Sequence, residues 1–579
     1  MNVLAKIYSS DISPKELKND VVGIIISGGP QSVNDNNSIE ADLKIFNLGV
    51  PILGLCYGHQ FIAHNLGGAV KPSKSREYGK SELKLQNKSL LLKNIKDNST
   101  VWMSHGDSVE NLPNNFDCIA STEDCGITAM SNEDKKIYGL QFHPEVNHSE
   151  EGMKILKNFI FKICKAEKNW RVEDIINDLL QKIKKQVNNK KVFILVSGGV
   201  DSSVAFALLT KALGENRVKG LYINNGFMRK NESEEITTNF DKAGFHNLET
   251  IDASKLFFNR LENIFDPEEK RKIIGQSFLD AKDMAAKNLK LESGNWILGQ
   301  GTIYPDIIET GGSKNADTIK THHNRINSIQ KLIKKGLIIE PLVDFYKDEV
   351  RQIGSLLGLS NGLVNRHPFP GPGLAIRCLC HNNSNQNNIP KNEKIADVLN
   401  NNSNKINHEI IPIKSVGVQG DNRTYAHPLA IWGTKNWNEL DTLSSKITNN
   451  IKDINRVLLL LNPKEKKSFS LSSENLSLSK KKIKLLQEID DIVMKSIKEN
   501  KLYKEIWQFP VVLVPITNNN NKESIVLRPI VSRDAMTADF YKMDNKILDL
   551  ITKKILDTKK ISYVFYDITH KPPGTIEWE

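Results

Sequence analysis

Short, fully apolar runs that end in glycine-containing turns constrain the fold of this chain more than any other feature. VVGIII (21–26) and PILGLC (51–56) occur early, and KVFILVSGG (191–199), GLYINNG (220–226) and NWILGQG (295–301) follow. Such runs are typical of strands buried on both faces of a parallel sheet, and helical patterns separate them. The sequence therefore predicts an α/β fold with two doubly wound parallel sheets, whose ligands bind at the carboxyl ends of the strands.

The last 200 residues have a different pattern, with asparagine-rich stretches that indicate exposed loops. Between these loops, residues 414–425 lead through a helical stretch to NRVLLLL (455–461), and residues 524–541 lead in the same way to ISYVFYD (561–567). Strand, helix and strand occur twice, which predicts an α+β region with a duplicated lobe; generic α/β patterning is the alternative. The 579 residues are long enough for three domains. We expect their bounds at 1–167, 168–376 and 377–579.

Composition and charge exclude several classes of protein. No apolar run approaches the roughly 18–20 residues that a membrane span needs, and we expect neither a membrane anchor nor a secretory signal. Six cysteines without metal-type spacing suit a reducing compartment, so we expect a cytoplasmic protein. The net charge of +11 indicates either general lysine richness or a phosphate-rich partner. Because no nucleic-acid-binding signature is present, we expect small phosphorylated ligands and no nucleic acid.

A cysteine lies where a nucleophile would be placed. GLCYGHQ puts Cys56 between a buried strand and a predicted helix, whose N-terminus favours a thiolate. In the strand-like QFHPEV, His143 and Glu145 point the same way, so His143 can accept the thiol proton while Glu145 orients it. The turn SGGP (27–30) offers backbone N–H groups for an oxyanion. A buried structural cysteine is the alternative, but the three features together favour nucleophilic catalysis.

Residues 21–165 resemble the class I glutamine amidotransferases, and SHGD (104–107) is also similar to their pattern. The resemblance implies that Cys56, His143 and Glu145 form a triad that hydrolyses glutamine to glutamate and ammonia through a thioester. Members of that family begin with a strand and helix that carry a D-F-G-S-Q-Y-like stretch, which this sequence lacks. We expect that this first βα unit is missing because the start codon was chosen too late, since losing a central strand would expose sheet edges.

A phosphate-binding loop follows the strand-like run KVFILV. SGGVDSS (197–203) has small residues that let backbone N–H groups wrap an anion, and the helix behind it adds positive potential. The loop resembles the PP-loop of N-type ATP pyrophosphatases, and it lacks the ending of a Walker A loop. Asp201 is the candidate Mg²⁺ ligand because hard carboxylate oxygens suit that ion; its alternative role is a helix N-cap. The residues implied in ATP binding are Ser197, Gly198, Gly199, Val200, Asp201, Ser202 and Ser203.

The remaining motifs indicate which molecule accepts the ammonia. RHPFPGPGLAIR (366–377) and KPPGTIEWE (571–579), with SVGVQGD and RPIVSRDAMTAD, resemble the GMP synthetase family from residue 21 to 579, especially its eukaryotic long form. The resemblance implies glutamine, ATP and XMP as substrates. XMP would attack the ATP α-phosphate, and ammonia would then displace AMP to give GMP. Another PP-loop amidotransferase, such as a NAD synthetase or asparagine synthetase, and a nucleotide-binding protein without activity are the alternatives.

The same resemblance assigns the acceptor site. Basic side chains can pair with phosphate, and carboxylate or amide groups can bond sugar hydroxyls or base edges; surface salt bridges are the alternative. IYPDIIET and IKTHHN flank a Gly/Ser/Asn-rich loop that is predicted to be a mobile lid. Since a duplicated lobe can replace a dimer contact internally, we expect a monomer, with a homodimer as the alternative. The implied XMP-binding residues are Arg271, Asp421, Gln508, Lys571 and Glu577, and the lid residues are Asp306, Glu309 and Lys320.

Overall fold

The chain folds into two compact units in this computed structural model. The first unit holds Met1–Ile175 and the described residues 305–309, and the second holds Ile176–Tyr304 with the described residues after 335. The structure describes residues 1–579 except 18–19, 30, 36–37, 39–40, 147, 291–294, 310–335, 383–394, 396–397, 400–405, 420–421, 463–468, 472–475, 519–521 and 533–536. It describes the backbone but not the side chains of 73–78, 308–309, 419 and 422–423.

The first unit is built on a seven-stranded mixed sheet. Its elements are β1 (Ile24–Ile26), β2 (Ile52–Leu55), α1 (Tyr57–Asn65), β3 (Ala69–Leu85), β4 (Ser99–Asn111), β5 (Asp117–Ser121), β6 (Ala129–Asn132), β7 (Ile137–Leu140) and α2 (Gly152–Lys157). The strand order is β1-β2-β7-β6-β5-β3-β4, in which β1, β2 and β7 are parallel and the other neighbours are antiparallel. Both β2 and β7 are fully buried, as their apolar sequences predict. The carboxyl ends of these parallel strands therefore lie together at one edge of the sheet.

The second unit begins with a five-stranded sheet that is parallel throughout. The elements along this stretch of the chain are α3 (Val172–Val187), β8 (Lys191–Leu195), α4 (Val200–Leu213), β9 (Val218–Asn224), α5 (Glu232–Lys242), β10 (Leu248–Asp252), α6 (Ser254–Arg260), α7 (Pro267–Asn288), β11 (Trp296–Gly299), α8 (Tyr304–Glu309), β12 (Ile338–Ile339), α9 (Lys347–Leu356) and α10 (Asn361–Val364). The first turn of α3 and all of α8 after Tyr304 belong to the first unit. The strand order β10-β9-β8-β11-β12 leaves β8 in the middle. The chain winds away from β8 in both directions, which creates a ligand-binding crevice at its carboxyl end.

The C-terminal part of the second unit contains a further seven-stranded sheet. Its elements are β13 (Asn407–Ile410), β14 (Ser415–Gln419), β15 (Asn422–Trp432), α11 (Trp437–Asn450), β16 (Ile454–Leu460), β17 (Ser470–Leu471), α12 (Lys480–Glu499), β18 (Val511–Val514), β19 (Ile516–Thr517), β20 (Ser524–Leu527), β21 (Ile530–Val531), β22 (Asp539–Phe540), α13 (Asn545–Asp557) and β23 (Val564–Asp567). The main path is β13-β15-β16-β23-β20-β18, and β14 pairs with β15. Two short pairs, β17 with β19 and β21 with β22, complete this part.

The two similar stretches of sequence form equivalent halves of this sheet. β15, α11 and β16 make one strand–helix–strand unit with parallel strands, and β20, α13 and β23 make the other. The halves meet where β16 pairs with β23 in antiparallel fashion, with Leu459 opposite Tyr566. The predicted repetition of strand, helix and strand is therefore present, and both copies belong to one continuous sheet.

One hydrophobic core extends through both parts of the second unit. It contains Phe227 and Phe257 from the region of the parallel sheet together with Leu459 and Tyr566 from the C-terminal sheet. The expected domain boundaries at 167/168 and 376/377 therefore remain predictions. No helix among the described residues is long and apolar enough to span a bilayer.

Candidate active sites

Cys56 lies in a strained turn between β2 and α1. Its φ of 51° and ψ of −106° are rare for a non-glycine residue, and its backbone N–H donates to the Leu140 carbonyl at 2.8 Å. A Cβ added at Gly58 would lie 2.2 Å from the carbonyl oxygen of Ile26, and one at Gly54 would lie 2.3 Å from the Gly58 carbonyl. Glycine is thus required on both sides of the cysteine, and the turn has the geometry of a nucleophile elbow.

His143 and Glu145 complete a polar group around the thiol. The Nδ1 of His143 lies 2.7 Å from Oε1 of Glu145. Hydrogen bonds to Cys56 and to Glu145 raise the pKa of His143 to about 10, although burial acts in the opposite direction. A Cβ added at Gly28 would lie 3.5 Å from both Cys56 Cβ and His143 Cε1. The structure therefore brings the predicted triad together with Gly28 of the SGGP motif.

Two buried glutamines support the thiol and were missed in the sequence. The amide of Gln141 donates to Cys56 Sγ at 3.8 Å, and its oxygen accepts from Gln60 Nε2 at 3.2 Å. The same Gln60 amide donates to the Asp107 carbonyl at 2.8 Å, which ties this group to the SHGD motif on β4. The motif QFHPEV already contained Gln141, but an amide in a strand gives no chemical signal by itself.

The PP-loop connects β8 with α4 in a compact turn. Gly198 has a φ of 76°, and a Cβ there would lie 2.3 Å from Cδ1 of Ile236. The hydroxyl of Ser202 accepts from Ser197 N–H at 3.1 Å, and Gly199 N–H donates to the Ser197 hydroxyl at 3.2 Å. These serines hold the loop in shape, and the N-terminus of the 14-residue α4 faces its opening.

Asp201 is the acidic group of this loop. Its Oδ2 forms an ion pair with Lys347, the first residue of α9, whereas its Oδ1 is buried and has no hydrogen-bond partner among the described residues. Arg366, from the RHPFPGPG motif, donates to the Gly198 carbonyl and to Glu232. The buried, unpartnered Oδ1 of Asp201 is the type of hard oxygen that binds Mg²⁺.

Lys347 was not predicted, because DFYKDEV has no recognisable binding pattern. Only the packing of α9 against α4 brings it to the loop. Within the described ranges, no group of three or more His, Cys, Asp or Glu side chains is arranged to hold a metal ion.

Two of the predicted XMP-binding residues lie together beside a buried arginine. Arg377 donates to both carboxylate oxygens of Glu577, at 3.0 and 2.7 Å, and Gln508 Nε2 donates to the same carboxylate at 3.2 Å. Burial opposes the charge of Arg377, but Glu577 outweighs it and raises the pKa of the guanidinium. Sequence reasoning identified the basic RHPFPGPGLAIR motif but did not single out Arg377.

Arg271 is connected to the β14–β15 hairpin. Its Nη1 lies 3.4 Å from Oε1 of Glu268, and that oxygen also accepts from the Tyr425 hydroxyl at 3.2 Å. Tyr425 belongs to β15, which pairs with β14. Asp421 itself lies outside the described residues.

The KPPGTIEWE tail is attached to the same surroundings. The Val418 N–H donates to the Pro573 carbonyl at 2.7 Å, which joins the tail to β14. Lys270, the neighbour of Arg271 on α7, is completely buried and forms an ion pair with Glu579. The predicted residue Lys571 exchanges backbone hydrogen bonds with Ala538 at 2.7 and 3.1 Å. The structure thus brings α7, the hairpin, Gln508 and the tail into one region of the second unit.

The predicted lid cannot be described as a whole. Asp306 lies in α8 and is partly buried, and Glu309 is the last residue of that helix, with its side chain outside the described set. Lys320 also lies outside the described residues.

Three models of known protein families match this chain, one in the region of each site described above. A family model described as Glutamine amidotransferase class-I matches residues 1–163, one described as NAD synthase matches 171–290, and one described as GMP synthase C terminal domain matches 495–578. An elbow cysteine with a His–Glu pair, joined in one chain to a PP-loop, defines a glutamine-dependent amidotransferase that uses ATP.

Curated relatives match nearly the whole chain. "Probable GMP synthase [glutamine-hydrolyzing]" of Leptospira interrogans is 47% identical over 96% of this chain and 92% of its own length. The GMP synthases of Prochlorococcus marinus and Brachyspira hyodysenteriae are 38% and 35% identical over 100% of this chain, and over 94% and 95% of their own lengths. The chain belongs to the glutamine-hydrolysing GMP synthase family. These relatives are bacterial, so the predicted resemblance to the eukaryotic long form is not borne out. Because they are GMP synthases over nearly their whole length, the alternative of a NAD synthetase is not favoured.

Proposed function

We propose that this chain aminates XMP to GMP with Cys56 as the thiol that releases ammonia from glutamine. The observation that carries this assignment is the contact of Cys56 with a His143 whose other nitrogen is bound by Glu145 at 2.7 Å. His143 takes the thiol proton, the thiolate attacks the glutamine amide carbon, and the protonated imidazole donates to the leaving ammonia. Water then hydrolyses the thioester to glutamate, and backbone N–H groups near Gly28 face the developing oxyanion.

The PP-loop carries out the second half of the reaction. The backbone of residues 197–203 and the N-terminus of α4 bind the pyrophosphate part of ATP, with Lys347 as an additional cation. The C2 oxygen of XMP attacks the α-phosphate, pyrophosphate leaves, and ammonia then displaces AMP from C2. The oxygen that leaves C2 therefore ends in the phosphate of AMP.

An isotope experiment tests this route. XMP labelled with ¹⁸O at the C2 oxygen is incubated with ATP and ammonium salt, and AMP is analysed by mass spectrometry. The proposal expects one ¹⁸O atom in each AMP and one pyrophosphate for each GMP. Label released into water would contradict the adenylyl intermediate. Turnover with a nicotinate dinucleotide but not with XMP would favour the NAD synthetase alternative.

We further propose that Asp201 holds Mg²⁺ together with the pyrophosphate oxygens. The support is the buried, unpartnered Oδ1 of Asp201 next to a loop that is suited to phosphate. The ion would supply charge neutralisation on the leaving pyrophosphate when bound. Isothermal titration of ATP with and without Mg²⁺ tests this assignment in the wild type and in Asp201→Asn. An Mg²⁺-dependent gain in affinity that is equal in both proteins would contradict it.

For the acceptor site, we propose that Arg271 and Lys571 bind the XMP phosphate and that Gln508 and Glu577 bind its base or sugar. The hydrogen bond between Gln508 and Glu577, and the connection of Arg271 through Glu268 to Tyr425, support this grouping. Glu577→Gln is expected to raise the KM for XMP and to leave that for ATP unchanged. Glu249→Gln is the control, because it removes the ion pair between Glu249 on β10 and Lys219 on β9 and changes none of the predicted XMP-binding residues.

Assembly and location follow as proposals as well. The two strand–helix–strand units meet within one chain at β16 and β23, which supports a monomer of 65.2 kDa. Light scattering at micromolar concentrations tests it, and a concentration-independent mass near twice that value would establish the homodimer instead. A cytosolic location is proposed because the six cysteines are free, which suits a reducing compartment.

A further inference from the structure

The residue before Lys571 is held by two carboxylates. His570 Nδ1 lies 2.9 Å from Oδ1 of Asp539, and its Nε2 lies 2.8 Å from Oδ1 of Asp441. A neutral imidazole has only one N–H, so it can donate to only one of these acceptors. Because both acceptors are carboxylates, the geometry requires the imidazolium form, which has an N–H on each nitrogen.

These contacts connect three separate elements of the second unit. Asp441 belongs to α11, Asp539 belongs to β22, and His570 follows β23 at the start of the tail. Lys542 also faces this group, with its Nζ 2.7 Å from the other oxygen of Asp441. The ring of Phe540 packs beside the imidazole at 5.3 Å between centroids.

The backbone of the next residue is attached to the same segment. Lys571 donates to the Ala538 carbonyl at 2.7 Å and accepts from the Ala538 N–H at 3.1 Å. Two neighbouring residues of the tail are therefore attached to two neighbouring residues at the start of β22. His570 contacts Asp539 through its side chain, and Lys571 contacts Ala538 through its backbone. If the imidazolium is lost, one of the two attachments weakens directly before Lys571.

We propose that His570 is a positioning residue for the acceptor nucleotide, and that its imidazolium, bridged between Asp441 and Asp539, fixes Lys571 in place to bind the XMP phosphate. This inference rests on the proposed role of Lys571 in XMP binding. It adds a residue that touches no substrate and a pH dependence that belongs to the XMP site rather than to the glutaminase site.

The direction of the pH dependence follows from the surrounding charges. Burial opposes the protonation of His570, but its hydrogen bonds with Asp539 and Asp441 outweigh burial and raise the pKa. The bridge is therefore complete below the ordinary histidine pKa of about 6.5 and is lost only as the pH rises through the higher folded value. The affinity for XMP should fall over that alkaline range.

The test uses the full chain and the ammonia-supported reaction, with free ammonia held constant at every pH. KM for XMP and kcat are measured from pH 6.5 to 9.5 for the wild type, His570→Gln and Lys571→Ala. His246→Gln is the matched control, because that histidine also lies near an aspartate, at 3.5 Å from Asp241, but is largely exposed and outside the site. Thermal melting verifies that each variant is folded.

We expect His570→Gln to raise the KM for XMP about tenfold at pH 7, since the charge-assisted hydrogen bonds to both carboxylates are lost, while kcat changes by less than about twofold. The ratio of the variant to the wild-type KM should approach one at alkaline pH, because the wild-type bridge is lost there. A KM equal to that of the wild type at pH 7 would overturn the role of His570 if Lys571→Ala still raises it. A Lys571→Ala variant with unchanged KM would overturn both this inference and the proposed role of Lys571.

A second variant guards against misfolding of His570→Gln. Asp539→Asn preserves the shape of the acceptor but removes the charge that favours the imidazolium. The pH at which the KM for XMP rises should therefore move down. An unchanged midpoint in a folded Asp539→Asn variant would overturn the inference.

Discussion

Asp567 is the best position at which to test how the acceptor region is held together. Its Oδ2 accepts from Arg456 at 2.9 Å, from Arg528 at 2.8 Å and from Trp578 Nε1 at 3.1 Å. All of these side chains are almost completely buried. The two guanidinium groups outweigh burial and lower the pKa of the Asp567 carboxyl, so this carboxylate is the shared counter-ion of two buried cations.

The expected cost of Asp567→Asn follows from that arrangement. The substitution keeps the acceptor that Thr569 N–H uses at 3.0 Å, but it leaves two buried arginines without a carboxylate. Removing one partner of a buried ion pair costs about 3–5 kcal/mol, and the retained hydrogen bond favours the lower end. Burial and Arg528 already lower the pKa of Arg456 to about 9. Removing the negative charge of Asp567 therefore destabilises the charged form of Arg456 further.

Urea unfolding followed by tryptophan fluorescence measures this effect. Asp344→Asn is the control, because its pair with Lys182 at 2.9 Å is exposed and should be worth less than about 1 kcal/mol. A destabilisation by Asp567→Asn that is no larger than the control would refute the argument from buried charge. Alkylation of Cys56 should be unchanged, since that thiol belongs to the first unit.

Three further outcomes test the catalytic assignments. Cys56→Ala should abolish GMP formation from glutamine but keep the ammonia-supported rate, and loss of both rates in a folded variant would contradict two separate sites. Asp201→Ala should lower both rates by at least about a hundredfold, and normal turnover with ammonia would exclude it from the ATP site. Glu145→Gln should lower the pKa of His143 from about 10 and slow alkylation of Cys56 at pH 7 by about tenfold. If the alkylation rate of Glu145→Gln coincides with that of the wild type between pH 6 and 9, Glu145 does not support the ion pair between the Cys56 thiolate and the His143 imidazolium.

The local parts of both catalytic loops were predictable from sequence. Apolar runs of strand length followed by glycine and a helical pattern predict the junctions at Cys56 and at the PP-loop, because close packing at these turns excludes larger residues. His143 and Glu145 do lie together, with 2.7 Å between Nδ1 and Oε1, but the strand periodicity used to predict this was wrong, because β7 ends at Leu140 and both residues lie beyond it. The repeated strand–helix–strand pattern predicted the two halves of the C-terminal sheet, but not that they share one sheet.

The partners of the buried charges were not predictable. Lys347 and Asp201 are 146 residues apart, Arg377 and Glu577 are 200 apart, and Lys270 and Glu579 are 309 apart. No local pattern relates such residues, since only the strand order and the packing of helices bring them together. Lysine and arginine are also abundant throughout the chain, so the few that are buried cannot be distinguished by type.

The tail explains why stability and XMP binding should change together in the second unit. Its last residues bind separate buried partners, Glu577 with Arg377 and Glu579 with Lys270, while Trp578 bonds to Asp567. Each of these charges is costly to bury alone and becomes favourable only when its partner is present. The tail therefore docks as a whole, and losing one contact weakens the others. A residue such as Asp567, which touches no predicted substrate atom, should on this reasoning change the KM for XMP as well as the free energy of unfolding.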